Sequence, residues 1–189
     1  GNVVGLLGLS DPPRADAGAL IGELRSLGIS TVMVTGDSQA TAGAVAQAVD
    51  LGSRPRLSEG RISEQADPLA FDVYAGVFPE DKFRLVRAFQ AHGHTVGMFG
   101  DGANDAPALR QAQVGIAVST ATDVAKAAAA IVLTEPGLGG IVTAVKEGRS
   151  TFQRILTYAV NALIKKVETV LFLAIGLVGI IVLMQRSEG

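Results

Sequence analysis

Gly97-Met98-Phe99-Gly100-Asp101-Gly102-Ala103-Asn104-Asp105-Ala106-Pro107-Ala108-Leu109 decides how this sequence is read. Thr95–Phe99 predicts a strand, Gly100-Asp101-Gly102 a tight turn, and Asn104–Gln111 a short helix. The glycines let the backbone turn sharply and approach a ligand closely. Asp101 then projects from a strand end as a hard oxygen donor suited to magnesium. Asp105 lies one turn into the following helix, so the two carboxylates can point toward one place. Asn104 offers an amide to a phosphoryl oxygen. Taken alone, the same composition also fits an ordinary turn whose aspartates cap a helix.

Working outward, strands and helices alternate. Val3–Leu9 is an apolar run that stops at Ser10-Asp11-Pro12-Pro13. Asp16–Leu27 has helical spacing, and Gly28 ends it. Ser30–Val34 reads as a buried strand, Thr41–Val49 as an alanine-rich helix closed by Gly52, and Gly52–Asp67 as a polar surface excursion. Val73–Val77 is a strand, and Pro79 opens a helix through about Ala91. Beyond the opening motif come a strand at Val114–Val118, a helix at Thr122–Ala130 with Thr122 as its cap, and a short strand at Ile131–Leu133. One long helical pattern runs from about Ile141. Short links between alternating elements indicate an open parallel α/β sheet, with ligands beyond the carboxyl ends of the strands.

Thr35-Gly36-Asp37 falls at such an end, before a helix. A hydroxyl and free backbone N–H groups there make a phosphate cradle, although Thr-Gly-Asp is also a routine turn and cap. Lys82, in Pro79-Glu80-Asp81-Lys82, sits in a helix's first turn against the macrodipole, which favours some other use for its charge. His92 and His94 have no third ligand spaced to join them and read as structural.

Sixteen Lys and Arg against eighteen Asp and Glu leave a net charge of −2, which argues against nucleic-acid binding by bulk positive charge. There is no cysteine, which excludes disulfides, thiolate metal sites and cysteine nucleophiles. From Val167 to Met184 the only charge is Glu168. About 18 apolar residues is the lower end of what spans a bilayer. The run follows Lys165 and Lys166, which by the positive-inside rule put the preceding domain in the cytoplasm. Glu168 can pair with Lys165 near the interface. The competing reading is a buried C-terminal helix of a soluble protein.

Together, Ser10-Asp11-Pro12-Pro13-Arg14, Val34-Thr35-Gly36-Asp37, Val77-Phe78-Pro79-Glu80-Asp81-Lys82 and the opening run resemble the haloacid-dehalogenase-like phosphorylation domain of P-type cation-transporting ATPases. Ala75-Gly76-Val77-Phe78-Pro79, Gly115-Ile116-Ala117-Val118 and Ala121-Thr122-Asp123-Val124-Ala125-Lys126 resemble the proton-pump branch in a bacterial or archaeal form. Thr151-Phe152-Gln153-Arg154, with Tyr158 and Asn161, resembles that branch's fifth membrane helix. The resemblance implies ATP and Mg2+ as cofactors and a plasma-membrane location. It implies that Asp101 holds magnesium, that Asn104 and Asp105 support the phosphoryl group and the metal, and that Thr35 and Gly36 contact phosphoryl oxygens. Lys82 would neutralise charge on that group, and Asp37 would face the nucleotide.

The family's phosphorylated aspartate, in Asp-Lys-Thr-Gly-Thr, is not among these 189 residues. Nor are its nucleotide-binding and actuator domains or its other membrane helices, so these are the expected partners, with membrane lipid. The expected organisation is a phosphorylation-domain portion at 1–140, a stalk helix at 141–166, a membrane helix at 167–184 and a tail at 185–189. On this reading the chain is a fragment carrying half of a phosphoryl-transfer site, inactive alone. Two alternatives are a degenerate membrane-anchored remnant and a small stand-alone phosphatase, for which Asp11 is the only early nucleophile.

Overall fold

The computed structural model describes residues 12–51, 57–59, 67–135 and 137–187, with the backbone alone at 57–59. The expected strand Val3–Leu9, Asp11 and Gly52 lie outside the described residues. Two compact units divide the chain, Gly1–Val142 and Thr143–Gly189.

In the first unit, α1 (Ala17–Ser26) precedes β1 (Met33–Val34), α2 (Gln39–Ala48), β2 (Leu57–Glu59) and β3 (Val73–Ala75). Then come α3 (Pro79–Ala91), β4 (Gly97–Gly100), α4 (Ala106–Gln111), β5 (Val114–Ala117), α5 (Asp123–Ala128) and β6 (Ile131–Val132). Single 3₁₀ turns at Pro68–Ala70 and Ala103–Asp105 precede β3 and α4.

Every strand pairing is parallel, as the alternation of elements requires. Among the described residues the strands form two three-stranded parallel ladders, ordered β1-β3-β2 and β4-β5-β6. Three readings need correction. β2 lies inside the stretch expected to be a surface excursion. Among the described residues it pairs with β3 alone, and Leu57-Ser58-Glu59 carries no apolar run that would mark it as a strand from sequence. β1 is shorter than Ser30–Val34. The chain turns after α2 at Asp50, whose φ is 54°, before Gly52 is reached.

β3 is buried along its whole length, with Val73 inaccessible. It packs with Ile21 of α1 and with Ala42 and Ala46 of α2. Alanine on α2 lets that helix lie close to the strand. Tyr74, Val77 and Leu85 form a second cluster that ties β3 to α3. Leu109, Ala117, Ala121 and Ala125 form a third, holding α4 and α5 on the other ladder. These clusters fix the strand ends from which the turns project.

The last element, α6 (Gly139–Ser187), is a single helix of 49 residues. At 1.5 Å per residue it is about 73 Å long. It contains the one stretch among the described residues long and apolar enough to cross a membrane, and none of that stretch is buried within the protein. Thr169 Oγ1 donates to the Lys165 carbonyl at 2.8 Å, which satisfies its hydroxyl without water. The expected Lys165–Glu168 ion pair does not form.

Candidate active site at the strand ends

α3 begins as its sequence predicts. Phe78 is the N-cap in extended conformation, Pro79 occupies the first turn, and Glu80 and Asp81 complement the macrodipole. One residue later stands Lys82. Its Nζ donates to Asp105 Oδ1 at 2.7 Å, with the two side chains only 14% and 6% exposed. An ammonium that would be poorly placed against the macrodipole is held by a buried carboxylate instead.

The other oxygen of Asp105 is also engaged. Oδ2 accepts from the backbone N–H of Gly102 at 3.2 Å and of Asp101 at 3.3 Å. The Asp105 carboxylate thus closes the turn that β4 leads into. Gly100 makes this possible, since a Cβ there would lie 2.7 Å from Asp105 Cβ and 2.9 Å from Cγ. From the other side, the Asp101 carbonyl accepts from Thr122 N at 2.9 Å, and Thr122 Oγ1 caps α5 through Ala125 N. Asp101 therefore has its backbone fixed on both sides while its side chain stands exposed at the rim.

Thr35, Gly36 and Asp37 form a turn at the end of β1. Thr35 Oγ1 donates to Asp37 Oδ2 at 2.8 Å and accepts from Asp37 N at 3.1 Å. Gly76 N donates to the Asp37 carbonyl at 2.8 Å, and Val77 N to the Thr35 carbonyl at 3.0 Å. This turn is therefore bonded to the segment that runs directly into α3 and Lys82. Asn104 is exposed at the edge of a shallow groove of about 550 Å³, opposite Phe83 and Arg87.

Of the residues singled out in the sequence, Lys82, Asp101 and Asp105 are joined through one carboxylate, and Asn104 shares their turn. The Thr35 turn connects to them through the β3–α3 link. The arrangement has distinct chemical capacities. Lys82 spends one of its three N–H donors on Asp105 and keeps two for an anion. Asp101 is a free hard ligand. Asp105 accepts at both oxygens, so it organises the site, and Oδ1, with Lys82 as its one hydrogen-bond donor, keeps a lone pair. No group of three or more His, Asp or Glu side chains that could hold a metal occurs among the described residues. Magnesium accepts one or two carboxylates completed by phosphate oxygens and water, so Asp101 fits it as a single protein ligand.

Asp105's commitment was not legible in the sequence, because the spacing of Asp101 and Asp105 suggests two open carboxylates. The partner, Lys82, lies 23 residues away. Its position against the macrodipole was the available signal.

Residues 1–113 match a family model described as haloacid dehalogenase-like hydrolase, and residues 84–145 match a second model of the same description. A Methanocaldococcus jannaschii protein, assigned by name as a cation-transporting ATPase, is 41% identical over 179 residues. That match takes in 89% of this chain and 22% of the relative. A crystal structure of a zinc-transporting PIB-type ATPase in the E2·Pi state is 35% identical with a TM-score of 0.63, over 78% of this chain and 21% of that one. The catalytic domain of the CPx-ATPase CopB-B is 26% identical with a TM-score of 0.58, over 72% of this chain and 47% of that one. The chain spans about a fifth of the length of that curated relative.

Proposed function

The chain belongs to the haloacid dehalogenase-like hydrolases and is related to P-type cation-transporting ATPases, and from that premise we propose that it supplies the magnesium- and phosphoryl-binding half of an ATP-driven cation pump's catalytic site. The observation that carries the reading is the Lys82–Asp105–Asp101 arrangement, an immobilised ammonium beside an uncommitted carboxylate. Phosphoryl transfer demands little covalent chemistry from a protein and much fixed charge. Lys82 offers its remaining N–H groups to the transferred phosphoryl oxygens. Asp105 holds Lys82 and the Asp101 turn at one separation. Asn104 and the Gly36 N–H add neutral donors, the Thr35 hydroxyl joins them by turning from Asp37 to a phosphoryl oxygen, and Asp37 faces the nucleotide. When bound at Asp101, magnesium would neutralise phosphate charge. The acceptor is an aspartate elsewhere in the pump, in keeping with the absence of Asp-Lys-Thr-Gly-Thr here.

On this reading 1–140 is part of the phosphorylation domain, 141–166 a cytoplasmic stalk and 167–184 a membrane helix, with Lys165 and Lys166 at the headgroups. The nucleotide-binding, actuator and remaining membrane domains of the same pump, and membrane lipid, are its partners. The ion we propose is the proton, from the resemblance of residues 75–79, 115–118 and 121–126 to proton pumps. Zinc is the second reading, favoured by the 35% identical zinc transporter. These 189 residues contain no cysteine, so any thiolate ligand for a soft metal would come from elsewhere in the pump.

The test is acid-stable labelling of the whole pump by γ-labelled ATP. Asp101→Asn should lower labelling by about 10²–10³-fold, the scale on which removed electrostatic stabilisation acts. Labelling at wild-type level would refute the assignment. ATP hydrolysis in sealed vesicles, stimulated by zinc or coupled to lumenal acidification, separates the two ions.

A further inference from the structure

Of the Ser10-Asp11-Pro12-Pro13-Arg14 motif, Arg14 is among the described residues and occupies a defined place. Its Nε lies 3.1 Å from Asp16 Oδ1 and its Nη2 lies 3.4 Å from Oδ2, a two-point contact. Asp16 precedes α1 and is a residue type well suited to cap it. It makes no side-chain cap, because its carboxylate is turned toward Arg14.

On its other side the guanidinium lies against Gly137. A Cβ on Gly137 would stand 3.1 Å from Nε, 3.3 Å from Cζ and 3.4 Å from Nη2, so the guanidinium faces Gly137 across the space that a side chain there would fill. Gly137 also has φ +96°, a conformation that only glycine adopts freely. The residues that follow are fastened as well. Leu138 packs on the cluster of Ile21 and Val49, and its carbonyl accepts from Ile141 and Val142. A Cβ on Gly140 would meet Leu133 Cδ2 at 2.9 Å, and Val142 is buried. All of these residues lie in the first unit, so the first turn of α6 is part of that unit's wall.

We propose that Arg14 is a positioning residue that clamps the Gly137 backbone to the start of α1, so that the first turn of α6 moves with the catalytic domain instead of swivelling at Gly137, Gly139 and Gly140. The proposal rests on the pump reading above. The pair is exposed, and such pairs contribute little to stability, so the clamp acts on the transmission of movement rather than on folding. Lysine cannot replace it, because an ammonium has neither the flat face nor the two-point fork.

The test uses the whole pump in sealed vesicles, with phosphoenzyme level, ATP hydrolysis and ion movement measured on the same preparation. Arg14→Ala, Arg14→Lys and Gly137→Ala should keep the phosphoenzyme level while ions moved per ATP fall by about twofold or more, the scale on which residues along a coupling route act. A proportional loss of all three quantities, or an unchanged ratio, would overturn the proposal. Absence of phosphoenzyme in the wild type would instead sink the pump reading, a distinguishable result. If Arg14→Ala fails to fold, Arg14→Lys carries the test. In the detergent-solubilised chain its amides at 138–142 should exchange faster than wild type, and unchanged exchange would overturn the clamp.

Discussion

The two units use the same kinds of residue in opposite ways. In Gly1–Val142, Val73 is inaccessible, and the acidic Asp105 is buried only because Lys82 and two backbone N–H groups meet its oxygens. In Thr143–Gly189, large apolar side chains face outward, with Phe172 76% and Leu173 64% exposed, while every helical N–H and C=O is satisfied within α6 away from its ends. The first unit is built for water, where apolar surface must be hidden and charge may stay outside. The second carries the pattern suited to lipid, where the backbone must satisfy itself and apolar surface may stay outside. The lesson is that exposure means different things in the two halves of one chain.

The largest expected effect comes from stranding a charge inside the first unit. Lys82→Ala leaves Asp105 buried without its cation, and such single deletions cost about 3–5 kcal/mol. Denaturant unfolding of the detergent-solubilised chain would measure it. Lys82→Met with Asp105→Asn should recover part of that loss, since the amide oxygen still accepts from the Gly102 and Asp101 N–H groups, while still abolishing phosphorylation in the whole pump. A cost below about 1 kcal/mol for Lys82→Ala would mean that the pair is far more hydrated than its burial indicates.

Adding a charge to the outside of the second unit should come next. Leu173→Arg near the middle of the apolar stretch should cost about 2.5–3.5 kcal/mol in a membrane-insertion assay. Leu173→Ala should cost far less in the same assay, whereas Val73→Ala at the core of the first unit should be felt in unfolding. If Leu173→Arg inserts as well as wild type, α6 does not cross the bilayer at that depth, and the contrast between the units fails.

A smaller effect tests the turn beside Asp101. Thr122→Ala removes the α5 cap and should cost about 1 kcal/mol, with Thr122→Ser largely restoring it. The smallest belongs to Asp16. The Arg14 hydrogen bond holds its carboxyl below the usual value of 3.8. A depressed carboxylate contributes stability that is present above its unfolded pKa and is lost as pH falls through the folded one. The difference in thermal midpoint between wild type and Asp16→Asn should therefore be small near neutrality and vanish in strong acid. A difference that grows in acid would reverse the sign and contradict the Arg14 contact.

Much of this was legible beforehand. Pro79 and Ala91 mark the ends of α3, Thr122 is the cap of α5, and the strand ends carry the Thr35 and Asp101 turns, because caps and breakers act on residues within a few positions of themselves. β2 was not legible, since Leu57-Ser58-Glu59 takes its strand character from β3, its paired neighbour, rather than from its own composition. Nor was the pairing order of the strands among the described residues, because local pattern reports that a strand exists and not which strand it meets.

What the sequence by itself determined is the kind and order of the elements, the glycine-and-aspartate turns at strand ends, and a helix apolar enough for a membrane. Hydrophobic period, caps and apolar length are local properties, read within one or two turns of the chain. Only the tertiary structure decided that Asp105 belongs to Lys82, that Asp101 is left as the free carboxylate, and that Arg14 lies on Gly137 more than a hundred residues away. Those pairings depend on strand order and helix packing, which bring distant residues together by burying the apolar faces between them.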